Sequence, residues 1–389
     1  VTDGAGQKFS PKIFGHPMST FSIMTPPRIL FGRGEAAKAA DLAMAFGPRG
    51  LIVHGGNPAR AAALLAATKA LGMACAAEPT LPMLENGLSL ARAYNPDWVI
   101  AFGGGAVIDM GKALAALIPQ PSPVMDHLEG VGPAHPLTAH PLPFIAIPTT
   151  AGTGAEVTKN AVIGLPDHAR KVSLRDDRMI ARVAIIDPAL TDHTPKPITL
   201  ASGLDAITQV IEPYVSCKAT PYTDAICLPA IAAGLPALMR LMQGEDAQAR
   251  NTMAWVSLTG GLALANAGLG AVHGFAGVIG GMTGAAHGAI CGALLPHVLA
   301  MNRARMADPA RLNAVCALIA QALDVSPDAA PMALARWNSR HGLPNLSAMG
   351  LSGDAHPQVA SVAQTASSMK GNPVALGMED LLVILRSAS

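Results

Sequence analysis

With 389 residues, half of them hydrophobic and only 14% charged, the chain has material for more than one hydrophobic core. Its net charge is +1 and like charges nowhere run in a block, which excludes the clustered Lys and Arg surface that nucleic acid requires. The five cysteines are scattered and form no CxxC pair, so they read as reduced thiols of a cytosolic protein, most of them core fillers.

The first half alternates between two textures. Gly50 to His54 (GLIVH) is a short apolar run ending at Gly55-Gly56, which predicts a buried parallel strand. Pro58 to Gly72 has helical composition, rich in Ala and Leu, and closes on a glycine. A second strand is predicted at Asp97 to Phe102 (DWVIAF), broken by three glycines and followed by the helical run Ala106 to Leu117. Pro143 to Ile147 predicts a third strand and Val183 to Ile186 a fourth. After about Pro195 long Ala/Leu/Met stretches dominate, with breaks expected at Pro213, Pro229, Pro236 and Pro296, and no alternating strand. The pattern predicts an α/β domain over 1–195 and an all-helical domain over 196–389, with a ligand cleft between them.

No Asp, Glu, Lys or Arg occurs from Asn251 to Asn302, a length that would ordinarily suggest a membrane span. The stretch nevertheless holds Asn251, Asn266, His273, His287, His297 and many glycines, polar groups that hydrocarbon would leave unsatisfied. Buried helices of a large core fit it better. The first residues lack a basic stretch followed by an apolar one, so no secretory leader is expected.

Two loops carry nucleotide chemistry. Gly103-Gly104-Gly105-Ala106-Val107-Ile108-Asp109 lies between a strand and a helix, where glycines admit a pyrophosphate close to the backbone and the helix N-terminus supplies amide N–H groups. It is not the GxGxxG fingerprint, and a tight turn uses glycines for purely steric reasons too. Pro148-Thr149-Thr150-Ala151-Gly152-Thr153-Gly154-Ala155-Glu156-Val157-Thr158 follows another strand and offers hydroxyls to phosphate or ribose; the competing reading is a helix-capping cluster. Two such loops at the ends of neighbouring strands favour nucleotide binding.

In the helical half, Asp205 and Gln209 are four residues apart and share a helix face. His273-Gly274 and His287-Gly288 recur fourteen residues apart in the charge-free region. A lone buried histidine is usually a hydrogen-bonded core residue. One Asp oxygen and two imidazoles are also a workable ligand set for Fe²⁺ or Zn²⁺.

The order GGGxxxD, PTTAGTGAEVT, KVS, IIDPAL, GLDA, VHG and HG–LLPHV resembles the iron-containing (group III) alcohol dehydrogenases, from about Phe21 to the C-terminus. That resemblance implies an N-terminal Rossmann-like parallel-sheet domain and a C-terminal all-helical domain, a dehydroquinate synthase-like architecture. It places Asp205, His273 and His287 on metal-ligand and catalytic positions, with Gln209 on the fourth metal position. It places Gly103, Gly104, Gly105, Asp109, Thr149, Thr150, Thr153, Val162 and Lys171 along the cofactor, NAD or NADP. The implied activity is alcohol oxidation or aldehyde reduction, with a divalent metal (Fe²⁺ or Zn²⁺) assisting hydride transfer, in a cytoplasmic homodimer.

Three departures from the family pattern stand out. Gln209 replaces a histidine ligand, and an amide oxygen is the poorer ligand for either metal. Gly277 stands where many members carry a further histidine credited with proton transfer, so the pocket is enlarged there. His54-Gly55-Gly56-Asn57 lacks the acidic residue common in NAD-preferring members, which permits NADP, with Arg60 nearby. Two other readings remain open: a metal-independent enzyme resembling the maleylacetate reductases, motivated by Gln209, and a non-catalytic nucleotide-binding protein, motivated by Gln209 and Gly277 together. Polyol oxidation, as in glycerol dehydrogenase-like enzymes of the same broad architecture, fits the motifs less well.

Overall fold

In the computed structural model the described residues are 20–168 and 170–389; the expectation about a secretory leader falls on 1–19, outside them. The strands are β1 (Ile29–Phe31), β2 (Gly50–His54), β3 (Leu71–Ala74), β4 (Trp98–Gly103), β5 (Phe144–Pro148), β6 (Asn160–Leu165), β7 (Arg170–Arg175) and β8 (Val183–Ile186). Six of them form one sheet in the order β1-β8-β5-β4-β2-β3, with every neighbouring pair parallel. β6 and β7 pair antiparallel as a separate hairpin.

The four predicted strands match β2, β4, β5 and β8 within a residue or two. All four are buried along their whole length, which is why they read as continuous apolar runs. Their side chains still alternate between the faces. Leu51, Val53, Val99 and Ala101 join one core, whereas Ile52, Trp98, Ile100 and Ile145 join the other. β1, β3, β6 and β7 escape the sequence pattern. β1 and β3 are short edge strands of three and four residues, and only one residue of β7 is fully buried.

The helices of the first half are α1 (Ala39–Met44), α2 (Ala62–Thr68), α3 (Leu81–Tyr94) and α4 (Gly105–Leu117). The helix expected over Pro58 to Gly72 is shorter: a 3₁₀ turn precedes α2, Lys69 ends it in the left-handed region, and Gly72 already lies in β3. The second half is α5 (Lys196–Val215), α6 (Pro221–Gln243), α7 (Ala247–Ala267), α8 (Ala271–Thr283), α9 (His287–Arg305), α10 (Ala310–Leu323), α11 (Ala330–Arg340), α12 (His356–Thr365) and α13 (Met378–Ala388). Pro213, Pro229, Pro236 and Pro296 were expected to break helices. They lie inside α5, α6 and α9 instead, where tertiary packing outweighs the lost backbone bond.

A single apolar cluster runs through all nine of these helices. The charge-free stretch forms most of α7, all of α8 and most of α9; α7 and α8 meet at 102°. α6 is long and apolar enough to cross a bilayer, and half of its most apolar window is buried against the rest of the protein.

Candidate active site and metal cluster

β4 and β5 are neighbours at the middle of the sheet, and both loops predicted to bind nucleotide leave from their carboxyl ends. The loops touch. Thr149 N donates to Gly103 O at 2.9 Å. A Cβ on Gly104 would stand 3.3 Å from Thr150 Oγ1, and one on Gly105 only 2.8 Å from Thr153 Oγ1. Glycine at 105 is therefore required by the threonine loop that packs over it, at the point where α4 begins. Gly104, the residue before α4, caps it with no side chain, so the first amide groups of that helix remain available to an anion.

Asp109, one turn into α4, accepts a hydrogen bond from Val162 N at 3.1 Å and so fixes the β6–β7 hairpin beside the loops. Burial pushes its carboxyl up to about 6, against the pull of Lys112. Val162 is 36% exposed and faces outward from that hairpin. Lys171, on β7, pairs with Glu78 and reaches α8 where Gly280 leaves space. Of the candidate residues near a 2′-phosphate, Arg60 donates to Leu190 O at 2.6 Å and Asn57 caps the turn before α2.

Asp205 (α5), His273 (α8), His287 (first residue of α9) and Cys291 (one turn later in α9) bring one ligand atom each within 4.8 Å of all the others. His273 Nε2 is 3.4 Å and His287 Nε2 3.8 Å from Asp205 Oδ1. That oxygen is buried and makes no hydrogen bond, although His273 Nε2 lies only 3.4 Å away. An orphaned carboxylate oxygen facing two imidazoles is a costly arrangement unless a cation joins them, so the residues fit the ion that the resemblance implies. Without an ion, Asp205 and both histidines favour their charged forms. Burial alone would raise Asp205, yet His287 and His273 outweigh it and hold the carboxyl below its usual range. His287 is pushed up to about 9, chiefly by the Cys291 sulfur and, against burial, by Asp205. His273 is raised as well: burial opposes the shift, and Cys291 and Glu212 overcome it.

The glycines after the two histidines have a steric reason. A Cβ on Gly288 would collide with the Ala201 carbonyl of α5, and one on Gly274 would stand 2.9 Å from Met369 Cε. Each His-Gly pair thus couples a ligand to a close approach.

Three neighbours of the site escape the sequence analysis. Glu212 accepts from His273 Nδ1 at 2.6 Å and from Val272 N at 2.7 Å, orienting the ring and satisfying an amide at the start of α8. It lies seven residues after Asp205, on the same helix face, and that spacing was its available signal. Cys291 packs in the apolar core of the helices and also turns its sulfur to the cluster; its signal was its position four after His287. Lys112 is 1% exposed and donates to Ala155 O, Thr158 Oγ1 and Asn160 O, clamping the end of the threonine loop.

Gln209 donates its amide nitrogen to Gly152 O at 2.9 Å. It thereby ties α5, one turn beyond Asp205, to the threonine loop and joins the two halves of the site. At Gly277, an exposed position, a Cβ would meet nothing within 4 Å, so the space beside it is open.

A sequence model described as "Iron-containing alcohol dehydrogenase" matches residues 26–188, and one described as "Fe-containing alcohol dehydrogenase family, C-terminal" matches 199–389. The chain is 33% identical over 316 residues to Lactaldehyde reductase of Escherichia coli (strain K12), 80% of this chain and 81% of that one. It is 32% identical over 321 residues to NAD-dependent methanol dehydrogenase of Bacillus methanolicus, 80% and 82% of the two chains. Long-chain-alcohol dehydrogenase 1 of Geobacillus thermodenitrificans is 40% identical over 236 residues, and there the match spans 59% of each chain. The solved alcohol dehydrogenase from Oenococcus oeni superposes with a TM-score of 0.84 at 28% identity, over 95% of this chain and 100% of that one.

Proposed function

The chain belongs to the iron-containing alcohol dehydrogenase family, and from that premise we propose that it interconverts alcohols and aldehydes between the two loops and the Asp205/His273/His287 cluster, using NAD or NADP and a divalent cation, Fe²⁺ or Zn²⁺. The observation that carries this reading is the orphaned, buried Asp205 Oδ1 facing two imidazoles, joined through α5 and Gln209 to the threonine loop.

When bound, the cation supplies Lewis-acid polarisation of the substrate oxygen, and the nicotinamide supplies or accepts the hydride. Asp205, His273 and His287 would hold the ion, and Glu212 keeps the His273 ring in the tautomer that leaves Nε2 free to ligate. The amide groups at the start of α4 and the hydroxyls of Thr150 and Thr153 would position the dinucleotide phosphates, with Gly104 and Gly105 allowing close approach. On this reading the hairpin held by Asp109 would carry Val162 and Lys171 along the far side of the dinucleotide. Open space at Gly277, one turn beyond His273, gives the substrate side room for a chain longer than ethanol. Holding the two reactants against one another in fixed register accounts for much of the rate such a site can achieve.

The test is oxidation of NADH and NADPH with an aldehyde panel, before and after stripping the metal and restoring Fe²⁺ or Zn²⁺. Activity lost on stripping and restored by one ion is expected, as is its loss in His273→Ala and His287→Ala. Turnover that survives both exhaustive chelation and these substitutions would replace this reading with the metal-independent reductase. A cytoplasmic homodimer is part of the proposal, and light scattering of the purified protein tests the dimer.

A further inference from the structure

The cluster contains a sulfur that the resemblance does not assign. Cys291 Sγ lies 3.7 Å from His287 Nε2 and 3.8 Å from His273 Nε2, on the inward face of α9. Ligand atoms bound at about 2.0 Å (N, O) and 2.3 Å (S) around a tetrahedral ion stand ~3.3–3.6 Å from one another. The four separations from Asp205 Oδ1 and Cys291 Sγ to the two imidazole Nε2 atoms, 3.4 to 3.8 Å, are close to the edges of such a polyhedron, and the other two pairs lie within 4.8 Å. The residue in the usual fourth position, Gln209, donates its amide nitrogen to Gly152 O and offers only a neutral amide oxygen, a poorer donor to Fe²⁺ or Zn²⁺ than a thiolate.

The geometry points to Cys291 as the fourth protein ligand, in place of the histidine that Gln209 has displaced. The site is then Asp-His-His-Cys rather than Asp-His-His-His. This rests on the metal reading above and deepens it, because a thiolate biases the site toward Zn²⁺, the softer choice than an all-nitrogen and oxygen set would make. Binding moves the Cys291 proton to solvent and leaves sulfur as an anionic donor beside Asp205. Two anionic ligands then balance the charge of a divalent ion inside a buried site. His287 is the partly exposed member of the cluster, so its side is the one open to substrate.

X-ray absorption at the zinc edge of the intact, Zn²⁺-loaded enzyme tests this without any substitution. One sulfur at about 2.3 Å in the zinc shell is expected. A shell of nitrogen and oxygen alone overturns the assignment. A second measurement uses Co²⁺ loaded into a Cys217→Ala background, which removes the exposed thiol. A sulfur-to-cobalt charge-transfer band in the near ultraviolet should appear, persist in Gln209→Ala, and vanish in Cys291→Ser. Cys291→Ala should bind Zn²⁺ at least ~10-fold more weakly, the scale seen when even an outer partner of a ligand is lost. One Co²⁺ per chain, lost in His273→Ala but showing no charge-transfer band, would remove Cys291 from the ligand set and leave the Asp/His/His reading standing. No Co²⁺ or Zn²⁺ bound at all would overturn both.

Discussion

At the scale of single residues, the site depends on groups whose charge is set by burial and by one or two neighbours. Glu212 touches His273 and an amide of α8, so Glu212→Gln should weaken metal retention by roughly 10–100-fold while the fold survives. Metal content after dialysis against a weak chelator checks this, and retention equal to wild type would remove Glu212 from the site. Glu156 shows the opposite electrostatics. Burial pushes its carboxyl up to about 7, and Lys112 only partly opposes the shift. Its folded-state value lies above its unfolded one, so the folded protein holds an extra proton between about pH 4.5 and pH 7, and Glu156 costs stability as pH rises through that window. Glu156→Gln should flatten the pH dependence of the melting temperature between those values. At Gly277 the empty space makes a steric prediction: Gly277→Leu should lower kcat/KM for long aldehydes relative to short ones by ~10–100-fold. Equal losses for both chain lengths would show that the space does not face substrate.

At the scale of elements, the threonine loop after β5 is fixed from three directions. Lys112 clamps its end, Gln209 holds Gly152, and α7 packs against Gly154 backbone to backbone. Gly154 has φ of 58°, and a Cβ there would stand 2.6 Å from Gly261 Cα. Only glycine at both positions permits the approach. Gly261→Ala should therefore push α7 off the loop, costing about 1–3 kcal/mol of stability and weakening NADH binding more than metal binding. Calorimetry and a fluorescence titration measure the two effects separately. Elements differ in how openly the sequence shows them. β2, β4, β5 and β8 are buried on both faces, and such strands need long apolar runs. β6 and β7 form a half-exposed hairpin whose composition resembles a loop. The internal prolines of α5, α6 and α9 mislead for a related reason: local propensity says break, and a buried helix face packed on its neighbours says continue.

At the scale of the whole molecule, the candidate metal ligands all lie on helices, and the glycine and threonine loops proposed to hold the nucleotide leave the sheet. This division predicts separable defects. Gly105→Val, which would drive a branched side chain into Thr153, should abolish dinucleotide binding and leave the metal in place. His287→Ala should lose the metal and still bind NADH. If either substitution removed both ligands, the two halves would form one cooperative site.

The sequence by itself determined the class of the fold, the two loops and three ligand-type residues, because each of these is local chemistry: an apolar run, a turn that needs glycine, a carboxylate and imidazoles spaced along the chain. Only the tertiary structure decided that Cys291, within the core, turns its sulfur to those imidazoles, that Gln209 holds Gly152, and that Glu212 orients His273. Those facts depend on how α5, α8 and α9 cross. The crossing is set by close approaches such as Gly288 against Ala201, and a list of residues does not contain it.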